Sequence, residues 1–345
     1  MVEVARTYFV CAGCGDSGCP LDDRLGLERY VSPEALRLLC LAGASWSFDN
    51  ARAHLREFAG IEASDELIRQ TVLREGPKMA AFAQTSAEAV ETFAATVGEA
   101  EFETDATKVN TTEGWRDAKI GIFAKRQRGP AAETAQWADR PLPKPSVRFA
   151  FADSADSATF AASWASTAQR LGIDPSSEQL SVLGDGAEWI WNRTAEQFPQ
   201  AQQVLDVFHA TEYVADAAKG FFGEGTSAVK AGRDRGIALL LSDGYAGVTA
   251  WVGELSQCPQ GGDGAALGTM LNYLAGHQDR MPYALRLHRG QSIGSGLVEG
   301  AAKNLIGQRL KANNARWLAG NVQRMAPLCC ALYSETWAAY WQSHG

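Results

Sequence analysis

The sequence predicts an α/β fold. A mixed five-stranded sheet in the order β-β-β-α-β-α-β-α is preceded by a helical N-terminal part and interrupted by a helical insertion before the last helices. Three observations carry this. Phe102, Thr104 and Ala106 alternate with Glu101, Glu103 and Asp105, the period of a strand with two unlike faces. Leu180–Leu183 and Val204-Leu205 are short apolar runs that lead into Asp185 and Asp206, as in parallel strands covered on both sides. Stretches of helical period separate these runs.

Bulk composition bounds the function. The 345 residues are 46% hydrophobic and 21% charged, ordinary for a globular protein of two or three packed units. No apolar run approaches the ~20 residues that span a bilayer, and no basic-then-apolar leader opens the chain, so a cytoplasmic location is expected. Seven unevenly spaced cysteines argue for reduced thiols rather than a disulfide framework. The net charge of −8 opposes general nucleic-acid affinity, but charge is local: Arg286 to Arg324 holds seven Lys/Arg and one acid, Glu299.

Residues 1–32 form a zinc-knuckle or ribbon segment in this reading. Cys11-Ala-Gly-Cys14 is half of a tetrahedral zinc site, and Cys19, with Asp16, is the candidate to complete it. Residues 33–99 are helical. Ser47 can cap a helix with Phe48, Ala51, Leu55 and Phe58 that Gly60 ends, and Ser64 can cap the next. The pair fits either a helix-turn-helix for DNA, with Arg69 and Arg74 outward, or an ordinary helical hairpin. Residues 79–98 read as an Ala-rich helical connector.

Residues 100–222 make the first part of the core. A strand carrying Asp105 turns at Thr111–Gly114 into a second that ends in Lys125, Arg126 and Arg128; Val147, Phe149 and Phe151 mark a third. A helix from Asp156 or Ser157 to Gly172 follows, then strand 180–184, helix 187–197, strand 203–208 and helix 209–222. Residues 223–290 are the insertion, with a Gly-rich joint at Gln260–Gly264. In 291–345, Ser295 can cap a helix through Glu299, Lys303, Ile306 and Leu310, and one more helix runs over about Ala315–Trp341. With right-handed crossovers the fourth strand can lie beside the first, so that Asp105 and Asp185 face each other; this is the ribonuclease-H-like topology. Ligands of such sheets bind outside the carboxyl ends of the parallel strands, where Gly184 and Gly186 free the backbone around Asp185.

Thr104-Asp105-Ala106-Thr107, Gly184–Trp191, Asp206-Val-Phe-His209, Val298-Glu299-Gly-Ala-Ala-Lys303, Arg309-Leu-Lys311 and Ala315-Arg316-Trp317 together resemble a bacterial insertion-sequence DDE transposase of the Kra type (ISKra family) over nearly the whole chain. Ala106 stands where that family usually has Gly, and Asn313-Asn314 replaces a Gly-containing turn. The resemblance implies metal-dependent cleavage and strand transfer at terminal inverted repeats. Asp105, Asp185 and Glu299 would hold two Mg²⁺ or Mn²⁺ ions, and Asp206 and His209 would support them. Lys125, Arg126, Arg128, Lys303, Arg309, Lys311 and Arg316 would meet double-stranded DNA, with the protein a homo-oligomer on transposon ends and target. A domesticated, inactive DNA-binding relative is the alternative. A two-carboxylate glycosidase is a distant third, opposed by the element order.

Overall fold

Alternation and hairpin chemistry build the centre of the molecule. The computed structural model describes residues 7–27, 31–258, 262, 264–312 and 315–343. A small hairpin of β1 (Phe9–Val10) and β2 (Ser17–Gly18) comes first. The main sheet holds β3 (Glu99–Thr111), β4 (Gly114–Arg126), β5 (Val147–Asp153), β6 (Ser181–Gly184) and β7 (Gln202–Leu205) in the order β5-β4-β3-β6-β7. The first three chain-consecutive strands pair antiparallel, and β3, β6 and β7 run parallel, a mixed α/β sheet compatible with a ribonuclease-H-like core. The predicted turn at Thr111–Gly114 closes the long hairpin. Gly114 takes φ 99°, which L side chains disfavour, and the Thr111 hydroxyl donates to the Gly114 carbonyl at 2.6 Å.

Both faces of the sheet are covered. Phe102, Phe123, Phe149, Trp164, Val182 and Phe198 fill one side. Ile120 and Ile122 pack on the other with Val298, Ile306, Met325 and Leu328. Beside β6 and β7, the helix Val207–Phe222 packs against the insertion helices Ser227–Ser256 and Ala265–Ala275.

Ser47 and Ser64 cap their helices as expected, accepting from Asn50 N and Leu67 N, and Gly60 ends the first in the left-handed region at φ 63°. The second, Asp65–Thr85, takes in the start of the expected connector. It is buried at Val72, Leu73, Glu75 and Met79 on the side facing Ala319–Leu332, and at Ile68 against the two helices before it. Gly76 lets the backbones meet, since a Cβ there would lie 1.7 Å from the Arg324 carbonyl oxygen. Arg69 lies on its outer side but is bonded to Glu66, and Arg74 to Glu75. Most of this helix is core, and its first turns remain accessible.

Other elements differ from expectation. The helix from Ser157 to Gly172 is two, Ser157–Ala161 and Trp164–Arg170, with Asp156 capping the first. The last helix is also two, Ala319–Leu332 and Thr336–Gln342, broken where Ser334 turns its hydroxyl to β5 and accepts from Ala150 N. The helix through Glu299 passes from Gly296–Ala301 into a π-helical segment, Ala302–Gly307. Asn313, Asn314 and most of the Gln260–Gly264 joint lie outside the described residues. Among the described residues no helix is long and apolar enough to cross a membrane.

Candidate active site

Asp105 lies mid-way along β3, two residues beyond that strand's last pair with β6, Glu103↔Leu183. Continuing the register sets it opposite Asp185, the first residue after β6. The Asp185 carboxylate accepts from Ala187 N at 2.8 Å, which shapes the turn into the helix Glu188–Gln197. Asp105 is partly buried and accepts from its neighbour Ala106 N at 2.6 Å. Burial pushes its carboxyl above the ordinary range, and the negative charges of Asp185 and Glu299 add to that; the Ala106 hydrogen bond and His209 oppose it. Asp105 therefore senses the other two predicted acids and His209.

Glu299 is the outlier of the three. It is exposed and bonded to Lys303 at 2.7 Å, one helical turn on. Among the described residues no three His, Cys, Asp or Glu side chains converge closely enough to enclose a metal ion as they stand.

What fixes the Glu299 helix is a pair of acids read differently from sequence. Ser295 does not cap it. The Ser295 hydroxyl and N–H both donate to Asp206, at 2.8 and 2.5 Å. The cap is Glu103 on β3, which accepts from Leu297 N and Val298 N at 2.9 and 3.0 Å. A carboxylate from a distant strand thus satisfies the free N–H groups of the helix start. Glu103 is fully enclosed, and burial followed by the neighbouring Glu101 pushes its carboxyl up to about 8. Glu101 is buried with Arg126 at 3.0 Å and also accepts from Ser292. Asp206 caps the helix Val207–Phe222 as well, accepting from Phe208 N and His209 N at 2.7 and 3.0 Å. His209 is exposed, 3.6 Å from Glu212.

The insertion reaches the same place. A Cβ on Gly186 would lie 2.2 Å from the Tyr273 hydroxyl, so only glycine fits beside Asp185. Tyr273 stacks on Tyr213 with centroids 3.8 Å apart, and burial raises its phenol above the usual range. His277 is held below its usual range by burial and then by Arg280. Sequence gave no sign of these contacts beyond Gly186 itself.

The basic residues divide sharply. Lys125 is buried and donates to Phe93 O and Ala94 O. Arg126 is enclosed with Glu101. Arg309 donates to Gly43 O at 2.6 Å between the Phe48 and Trp317 rings. These three hold the fold together and do not offer their charges to a ligand, because each faces a buried acceptor that would otherwise be unpaired. Arg128 is exposed with Glu99. Lys303 and Lys311 are exposed beside the acids, Lys311 donating to Thr107, and Arg316 donates to Thr111 O and Thr112 O.

At the N-terminus, Cys11 and Cys14 stand exposed on the β1–β2 turn, and the Cys14 and Gly13 N–H groups lower the Cys11 thiol. Cys19 is buried at the start of the helix Pro20–Arg24 and joins no three-ligand group. Cys329 and Cys330 are enclosed.

No protein-family model and no curated protein matches this chain.

Proposed function

We propose that the protein is a DDE transposase of an insertion sequence, on a ribonuclease-H-like core. It would bind terminal inverted repeats and carry out metal-dependent strand cleavage and transfer. The observation that carries this reading is the register match of Asp105 and Asp185 on adjacent parallel strands, with the Glu299 helix capped onto the same strand two residues away. The resemblance of the blocks around these acids supports it.

The donor set suits a hard dication. Three carboxylates offer oxygen ligands of the kind Mg²⁺ prefers, and the mutual repulsion that Asp105 senses is what a cation relieves. Asp105 and Asp185 would hold it, joined by Glu299 once released from Lys303. Two bound ions would activate the attacking oxygen and stabilise the leaving one. The chain's own part is to fix the acids: the sheet register sets Asp105 and Asp185, Glu103 and Asp206 set the start of the Glu299 helix, and Tyr273 supports the Gly186 turn. Lys303 and Lys311 supply positive charge for the phosphate backbone.

The test is cleavage of a terminal-repeat duplex with Mg²⁺. Asp185→Asn should lower the rate at least a thousandfold with the fold intact; full activity of that variant would overturn the assignment.

A further inference from the structure

Beside the start of the Glu299 helix lies a groove of about 340 Å³, large enough for one small ligand by the usual range of roughly 300–1,000 Å³. Its walls come from four places: the end of β4 (Arg126), the Pro-rich loop before β5 (Trp137, Arg140, Lys144), the start of the helix Val207–Phe222 (Phe208) and the start of the Glu299 helix with the loop before it (Gly294, Leu297). The lining has two features that a buried structural cleft would lack.

The first is a lining whose charged residues are all positive. Arg126, Arg140 and Lys144 line the groove, and no carboxylate does. Arg126 is engaged with Glu101, but one guanidinium nitrogen of Arg140 is shut off from solvent with no hydrogen-bond partner among the described residues. Arg140 and the exposed Lys144 bring two cationic side chains to the groove wall that can meet an anion. Burial, and then the adjacent Arg126, disfavour the charge on Arg140, and Glu101 opposes them.

The second is an exposed aromatic pair. Phe208 is 54% exposed, and its ring lies 5.4 Å from Trp137 at 51°. Gly294 lies against the ring edge, where a Cβ would sit 3.4 Å away. Gly296 and Leu297, at the start of the Glu299 helix, also line it, so the groove adjoins the acids.

We propose that this groove binds one unpaired nucleotide of a nucleic-acid strand beside the acidic centre, with its base against Phe208 and Trp137 and its phosphate on Arg140. Aromatic faces joined to a cationic wall suit a base and its phosphate together; an anion alone would not use the rings. The subsite rests on the nucleic-acid reading above. It differs from it in asking for a single-stranded element.

The experiment uses the full chain with EDTA present and measures fluorescence anisotropy of a labelled oligothymidylate about twelve nucleotides long, against an abasic strand of the same length. Phe208→Ala should weaken oligothymidylate binding about tenfold and leave the abasic strand unchanged. Arg140→Gln should weaken both and reduce the slope of log affinity against log salt by about 0.7, the value for one phosphate contact on a single strand; Arg140→Lys should restore most of it. Lys230→Gln, an exposed charge on the insertion, should stay within about twofold of wild type. Circular dichroism melts check that each variant folds. The subsite is overturned if wild type does not bind the oligothymidylate, or if Phe208→Ala and Arg140→Gln bind like wild type. Because EDTA removes any metal-dependent step, the outcomes separate. Base-dependent loss without cleavage of repeats keeps the subsite and sinks the transposase reading; cleavage with no such loss does the reverse.

Discussion

Glu103 and Asp105 are two acids on one face of one strand, and their circumstances are opposite. Glu103 is sealed under the start of the Glu299 helix, with its carboxyl pushed up to about 8 and one oxygen accepting two backbone N–H groups. Asp105, one step along the same face, is only partly covered and senses Asp185, His209 and Glu299. The strand gives both the same direction and the same acidic group. What separates them is where the helix crosses: it ends the solvent for one and leaves the other at its edge. The buried acid has become a clamp, and the open one keeps contact with solvent.

The largest effect should come from removing the clamp. Glu103→Ala leaves two helix N–H groups without an acceptor and opens a cavity, and should destabilise the protein by about 4 kcal/mol in denaturant unfolding. Glu103→Gln keeps an acceptor and should do far less, with a change in pH dependence as its signature. The folded chain keeps the Glu103 proton up to about pH 8, whereas an unfolded glutamate loses it near its ordinary 4.5. The folded state therefore binds more protons between those values, so stability from this group is full below about pH 4.5 and is lost as the pH rises to about 8. Unfolding midpoints from pH 5 to 8 should fall in wild type relative to Glu103→Gln; parallel curves would show that Glu103 is ionised.

Asp206→Ala comes next. It removes a helix cap and the anchor of Ser295, and about 3 kcal/mol should be lost, with the Glu299 segment exchanging its amides faster. On the open side, Mn²⁺ at a hundred times its dissociation constant should stabilise wild type by about 2.7 kcal/mol in thermal melts, and Asp105→Asn should abolish that shift. An equal shift in both would place the ion elsewhere. Lys303→Ala should be the smallest change, under about 1 kcal/mol, because its pair with Glu299 is exposed and screened; a tighter Mn²⁺ midpoint in that variant would fit a Glu299 freed for the metal.

Much of the frame was legible beforehand. Alternation over Glu101–Ala106, the turn at Thr111–Gly114, the apolar run before Asp185 and the caps Ser47, Ser64 and Asp156 are all local signals that formed. The strand expected over 203–208 stops at Leu205, because Asp206 caps the next helix from Val207. The other misjudged features share one property. Ser295 has the chemistry of a cap, yet its hydroxyl is taken by Asp206, 89 residues away. Lys125, Arg126 and Arg309 look like DNA contacts, but their partners lie 32, 25 and 266 positions off. The break before Thr336 follows from a hydrogen bond to β5 across 184 residues.

The sequence by itself determined the strands, the order of the elements and the placing of Asp105 and Asp185 where the parallel runs end, because period, turn residues and apolar runs act through neighbours along the chain. The tertiary structure decided which charged residues are spent on the fold and which stay free. Glu103 and Asp105 are indistinguishable in the alternating pattern, and a helix start that arrives 194 residues later, with its unpaired N–H groups seeking an acceptor, makes them different.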